Sequence, residues 1–62
     1  MGEEKAKQLA LVAVQGQIKS MEIERGHGVR YYEVELETDK GEVEVDVDVD
    51  AYNGKILSVN YD

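Results

Sequence analysis

Hydrophobic residues recur every three to four positions at the start of the chain and at every second position afterwards. Apolar spacing of three and four residues is typical of an amphipathic helix, and we predict one over residues 3–14. Glu3 and Glu4 fall in its first turn, where the helix dipole favours carboxylates. Leu11 points away from the apolar face and is a candidate contact residue. The predicted buried face consists of Ala6, Leu9, Ala10, Ala13 and Val14.

The alternation that follows predicts four strands, over residues 17–25, 29–38, 42–50 and 55–61. The third is the most regular, because valines alternate with acidic residues throughout. In the first strand the apolar spacing slips by one residue, which predicts a β-bulge near Lys19 and Ser20. Short loops join consecutive strands, which favours a meander.

One α+β domain over residues 1–62 is therefore predicted, with an N-terminal helix packed on a four-stranded antiparallel meander sheet. We expect these side chains to face the core: Ala6, Leu9, Ala10, Ala13, Ile18, Ile23, Tyr32, Val34, Leu36, Val43, Val45, Val47 and Leu57.

Five residues are predicted to have structural roles in turns rather than catalytic or ligand-binding roles. Gly16 follows the helix and suits a left-handed cap. Gly41 suits the tight hairpin after the second strand. Asp50, Asn53 and Gly54 have the spacing of a turn in which side chains accept hydrogen bonds from the backbone and glycine supplies a positive φ.

Composition excludes several classes of function. The 62 residues include no Cys and one His, so disulfides, iron–sulfur clusters, thiolate zinc sites and multi-histidine sites are excluded within one chain. Fourteen acidic and seven basic residues give a net charge of −7, which disfavours nucleic acid and anionic membranes as partners. No apolar run reaches the roughly 18 residues of a membrane span, and the acidic start does not resemble a signal peptide.

The acidic residues are predicted to form a solvated sheet face rather than a catalytic or metal site. Asp46, Asp48 and Asp50 superficially match the start of a calcium loop, but alternate residues of a strand lie nearly 7 Å apart in a row, roughly twice the rise per residue. His27, between two glycines, is expected to be a solvated turn residue. We therefore expect no enzyme activity, no cofactor and no metal. The predicted acidic face contains Glu22, Glu24, Glu33, Glu35, Glu37, Glu42, Glu44, Asp46, Asp48 and Asp50.

Tyr31, Tyr52 and Tyr61 are candidate contact residues, since tyrosine is enriched in interfaces. Tyr32 is predicted to lie in the core. A chain this short has a small core, and an open sheet has unpaired edges, so a homodimer formed through strand edges or swapped strands is also expected.

Three segments together resemble the PepSY domain, which is found in peptidase propeptides. The first runs from Gly16 through Ile18 to the Met-Glu-Ile-Glu sequence at residues 21–24. The second is Tyr-Glu-Val-Glu-Leu at residues 32–36. The third, Val-Asp-Ala-Tyr-Asn-Gly-Lys-Ile-Leu at residues 49–57, is the most specific.

This resemblance implies a PepSY/cystatin-like fold and a non-catalytic interaction module. The implied partner is a protein such as a metallopeptidase, which the module would inhibit or guide, and the implied location is outside the cell or in its envelope. The alternative is an engineered or consensus scaffold with no partner except itself, since the Glu/Val and Asp/Val alternation is unusually regular.

Overall fold

The computed structural model describes residues 2–26, 28–39 and 43–61. It contains one helix, α1, and an antiparallel sheet in the order β1-β2-β3-β4, so the predicted fold class is confirmed. The predictions made for His27, Gly41 and Glu42 lie outside the described residues. The elements are α1 (Glu3–Ala13), β1 (Gly16–Gly26), β2 (Val29–Thr38), β3 (Glu44–Asp50) and β4 (Ile56–Tyr61).

The core lies between α1 and the two central strands. Alternate residues of β2 and β3 point to the helix, and their side chains are fully buried because strands pair with them on both sides. Ala6 and Ala10 are fully buried at the helix–sheet contact, where their small side chains let the helix lie close to the sheet. The fully buried strand residues are Val34, Leu36, Val45, Val47 and Val49.

The helix is rotated relative to the face predicted from spacing. Its buried stripe follows Ala6 and Ala10, and Val14, the first residue after the helix, is buried next to it. Ala13, predicted to be inward, is exposed beside this stripe at the last helical position. Leu11, predicted to point away, is half-buried and packs against the core, because its long side chain reaches the sheet from the flank of the stripe.

Two other predicted core residues lie where the helix does not cover the sheet. The helix packs mainly on β2, β3 and β4. Ile23 lies near the far end of β1 and is 50% exposed. Val43 precedes β3, and its side chain is also partly exposed.

Two register shifts adapt the edge strands to the core. The shift between Ile18 and Ser20 confirms the predicted bulge in β1. A second shift lies in β4, where Val49 pairs with Ile56 but Asp48 pairs with Ser58, two residues further along. Ile56 therefore packs against the core in place of Leu57, and the prediction that Leu57 points inward is wrong.

Gly16 is required for a different reason from the one predicted. The helix ends through Val14, whose backbone is extended and whose N–H donates to the Ala10 carbonyl. Gly16 is not a left-handed cap, since it begins β1 opposite Thr38. A Cβ at this position would clash with the Glu37 carbonyl oxygen, which is backbone and cannot rotate away.

We therefore predict that Gly16→Ala lowers the free energy of unfolding by about 1–3 kcal/mol, because the β2 backbone must move to admit the methyl group. Gly2→Ala is the matched control, since no atom lies within 4 Å of its added Cβ. Urea denaturation of both variants measures the effect. Equal stability of the two variants would contradict the close approach of Gly16 to β2.

Candidate functional site

The sheet face opposite the helix carries rows of carboxylates that cross the strands. In one row Glu22, Glu33 and Asp48 are successive cross-strand neighbours, and Ser58 continues the row on β4. Like charges placed directly opposite each other destabilise a sheet. The uncharged residues of the edge strands reduce this repulsion by supplying hydrogen-bond donors.

Asp48 and Asp50 are buried, so the prediction of a wholly solvated face is wrong at these two positions. Each is only 6% exposed, because β3 is an inner strand with neighbours on both sides. The Ser58 hydroxyl donates to Asp48 Oδ2 at 2.8 Å. A comparable contact on the other edge runs from the Ser20 hydroxyl to Glu35 Oε1 at 3.3 Å.

Asp50 organises the turn that follows β3. Its Oδ1 accepts hydrogen bonds from the backbone N–H of Tyr52 at 2.7 Å and of Asn53 at 3.2 Å. Asn53 Oδ1 accepts from the Lys55 N–H at 2.9 Å, and Gly54 has a φ of +79°. The turn is thus held by side chain to backbone bonds, and it projects Tyr52 into solvent.

Partial burial and the neighbouring carboxylates raise the proton affinity of Glu33. Partial burial is the main cause of its raised pKa, and the negative charges of Asp46 and Asp48 raise the pKa further. Tyr31, in the neighbouring row, also has a raised pKa, first because of desolvation and then because of Asp48. Both groups therefore hold their protons more tightly than the same groups in water.

The four predicted contact residues occupy different environments. Tyr52 and Tyr61 are 90% and 67% exposed, whereas Leu11 packs against the core. Tyr31 is half-buried on the acidic face beside Gly26, where an added Cβ would lie 3.1 Å from its ring.

A pair of arginines forms a feature that was not predicted from the sequence. Arg25 and Arg30 are direct cross-strand neighbours at the β1–β2 turn, on the same face as the pair formed by Ile23 and Tyr32. The short turn between the strands fixes which residues lie opposite each other, and alternation fixes their face, so the two together could have predicted that Arg25 and Arg30 are neighbours.

The described part of the chain shows neither a metal cluster nor a membrane-spanning helix. No three of its His, Asp or Glu residues are grouped so as to hold an ion. No helix in these ranges is both long enough and apolar enough to cross a bilayer.

We predict that Glu33→Gln raises stability at neutral pH, because it removes a charge that the folded state holds at a cost. A carboxyl group whose folded pKa exceeds its unfolded value stabilises the fold as pH falls through the folded pKa and opposes folding above it. The gain in unfolding free energy on acidification from pH 7 to about pH 5 should therefore be smaller in Glu33→Gln than in wild type. Glu3→Gln, an exposed helix residue, is the control for loss of one charge. An unchanged pH profile in Glu33→Gln would contradict the electrostatic account.

Comparison with known proteins agrees with this architecture. The family model described as "Peptidase propeptide and YPEB domain", PepSY, matches residues 1–60. The crystal structure of a predicted lipoprotein from Clostridium difficile 630 is similar, with a TM-score of 0.91 and 27% sequence identity. The alignment covers 100% of this chain and 40% of that chain. No curated protein matches the sequence. Since the family match spans almost the whole chain, this protein belongs to the PepSY family.

Proposed function

We propose that this chain is a non-catalytic protein-interaction module that inhibits or guides a peptidase in the manner of a propeptide. The observation that carries the proposal is the PepSY match over residues 1–60, since this family is generally a propeptide or inhibitor-type module. The exposed aromatic rings of Tyr52 and Tyr61 support it, because tyrosines at a surface supply contact area at low entropic cost.

The hydrogen bonds of the polar face support a structural rather than a catalytic role. A serine nucleophile needs a base that removes its proton and a site for the reacting group. The hydroxyls of Ser20 and Ser58 instead donate to carboxylates within an open sheet. The Asp50 carboxylate is committed to the backbone of its own turn.

An extracellular or envelope location is part of the proposal. The PepSY family includes peptidase propeptides, and the similar structure is that of a predicted lipoprotein. This chain spans 40% of the length of that structure, so any anchoring of the whole neighbour is a property of that protein.

The inhibitory role predicts that the purified domain slows cleavage of a small peptide substrate by a thermolysin-type metallopeptidase. The assay needs excess calcium, because an acidic protein can withdraw metal from a peptidase non-specifically. An unrelated domain of similar size and net charge is the control for charge. Tyr52→Ala and Tyr61→Ala should weaken inhibition, whereas Val12→Ala, an exposed helix variant, should not. If the wild-type domain inhibits no better than the control, the inhibitory role fails and the scaffold alternative gains support.

Self-association through β4 is a second proposal, favoured by the composition of this edge. Edge strands are commonly protected by charged residues or by proline. Ile56–Tyr61 contains neither, and Val59 and Tyr61 are exposed along it. Pairing of two β4 edges would extend the sheet while the acidic face stays in water.

We predict that the wild-type protein dimerises at high concentration, more strongly at about 500 mM than at about 50 mM salt, because salt screens repulsion between two chains of charge −7. Val59→Lys should abolish the dimer by placing a charge on the edge. Val12→Lys, which adds the same charge on the helix, should retain it. Sedimentation velocity measures both variants, and a wild-type monomer at both salt concentrations would exclude the dimer.

A further inference from the structure

One corner of the molecule combines exposed apolar side chains with two arginines. At the open end of the β1–β2 hairpin, Ile23 pairs with Tyr32, and Arg25 pairs with Arg30 two residues further along. Because side chains alternate between the faces of a strand, both pairs lie on the helix side. Tyr52, in the turn after β3, lines the same depression as Ile23, Arg30 and Tyr32. We name this surface the arginine corner and define it by Ile23, Arg25, Arg30, Tyr32 and Tyr52.

The arginine corner is concave. Ile23, Arg30, Tyr32 and Tyr52 line one depression. An adjoining depression shares Arg30 and adds Arg25. The helix packs mainly on the other three strands, which leaves half of the Ile23 surface exposed to solvent. The corner therefore offers an apolar floor with guanidinium groups at one end.

Neither guanidinium group forms an ion pair among the residues that the structure describes, and Asp50, which lines the same depression as Arg30, bonds the backbone of its own turn instead. Like charges directly opposite each other on neighbouring strands are unfavourable. Among residues 2–26, 28–39 and 43–61 no carboxylate lies within ion-pair distance of either Arg25 or Arg30. This pairing is notable in a chain with twice as many acidic as basic residues. A carboxylate from outside the chain would relieve the repulsion and accept hydrogen bonds from both groups.

The backbone beside the corner is available for pairing. β1 is an outer strand, so one side of it lacks a neighbour in the sheet. The bulge between Ile18 and Ser20 interrupts its first half, whereas the register from Ser20 to Gly26 is continuous. An extended segment added along Met21–Arg25 would place alternate side chains over Ile23 and Arg25.

We propose that the arginine corner binds an extended segment of a partner protein in which an apolar side chain and a carboxylate are two residues apart. The segment pairs with the edge of β1. Its apolar side chain packs on Ile23 at the rim of the depression, and its carboxylate lies beside Arg25, where the long Arg30 side chain also reaches it. This inference rests on the proposed function, because it names the chemistry by which the module recognises its protein partner.

Charge and strand pairing favour such a segment over other occupants. A chain of net charge −7 repels polyanions, whereas a single carboxylate on a short segment meets only the local positive charge of the corner. The strands of a second copy that have a free edge are β1 and β4, and neither contains an apolar residue and a carboxylate two positions apart. A second copy therefore lacks an edge with the spacing that the corner requires.

The test titrates isotope-labelled protein with the peptide acetyl-Thr-Thr-Leu-Thr-Asp-Thr-Thr-amide and follows backbone amide NMR signals. We expect saturable shifts centred on Met21–Arg25, with smaller shifts at Arg30 on the neighbouring strand. Replacing Asp by Asn in the peptide, or introducing Arg25→Gln with Arg30→Gln in the protein, should weaken binding about tenfold through loss of the charge-assisted bonds. Lys5→Gln with Lys55→Gln removes the same charge elsewhere and should leave binding within about twofold.

The melting temperature separates a loss of binding from a loss of fold. The double arginine variant should melt no lower than wild type, because it removes a like-charge pair, so its loss of binding is not a loss of fold. No saturable shifts at the corner, equal binding by the two double variants, or equal binding of the Asn peptide would overturn the proposal. Shifts at Met21–Arg25 that depend on protein concentration without peptide would assign the corner to a second copy and also overturn it.

The peptidase assay distinguishes a failure of the arginine corner from a failure of the proposed inhibitory function. If wild type and the double arginine variant inhibit the metallopeptidase equally, the proposed function holds and the arginine corner is not its contact. If the corner binds the peptide but wild type does not inhibit, the corner stands and the inhibitory function fails.

Discussion

The structure depends on the burial of alternate valines of β3 between the sheet and the helix. Val45, Val47 and Val49 are fully buried, and Ala6 and Ala10 provide the close helix surface above the sheet. Successive side chains of a strand point to opposite faces. The strand that builds the core therefore also directs three aspartates to the other face, at the middle of the sheet.

The hydrogen bonds made to those aspartates account for the polar residues on β4 and in the turn after β3. Asp48 accepts a hydrogen bond from Ser58, and Asp50 accepts two from the backbone of the following turn. Uncharged donors on β4 and in the turn after β3 thus stabilise carboxylates that would otherwise lose hydration without compensation. The charged form of Glu33 remains unfavourable in the fold, since burial and neighbouring charges raise its pKa.

The surfaces suited to a partner lie at the periphery as a result. The acidic face is dominated by one sign of charge, and the helix-side core is closed. The outer strands, the hairpin end with Arg25 and Arg30, and the turn that exposes Tyr52 remain accessible. A PepSY module that contacts a peptidase through these features would use backbone edges and aromatic anchors, while its net charge influences how partners approach.

The sequence alone determined the helix, the four strands, the β1 bulge and the turn residues after Asp50, because each follows from local periodicity or turn chemistry. Tertiary structure decided what depends on neighbours. The β4 bulge exchanged Leu57 for Ile56 in the core, and the rotation of the helix packed Leu11 and exposed Ala13. The central position of β3 buried Asp48, and the placement of the helix left Ile23 uncovered beside paired arginines. Periodicity fixes which face a side chain points to, but burial depends on what lies above that face, and only the packed elements supply it.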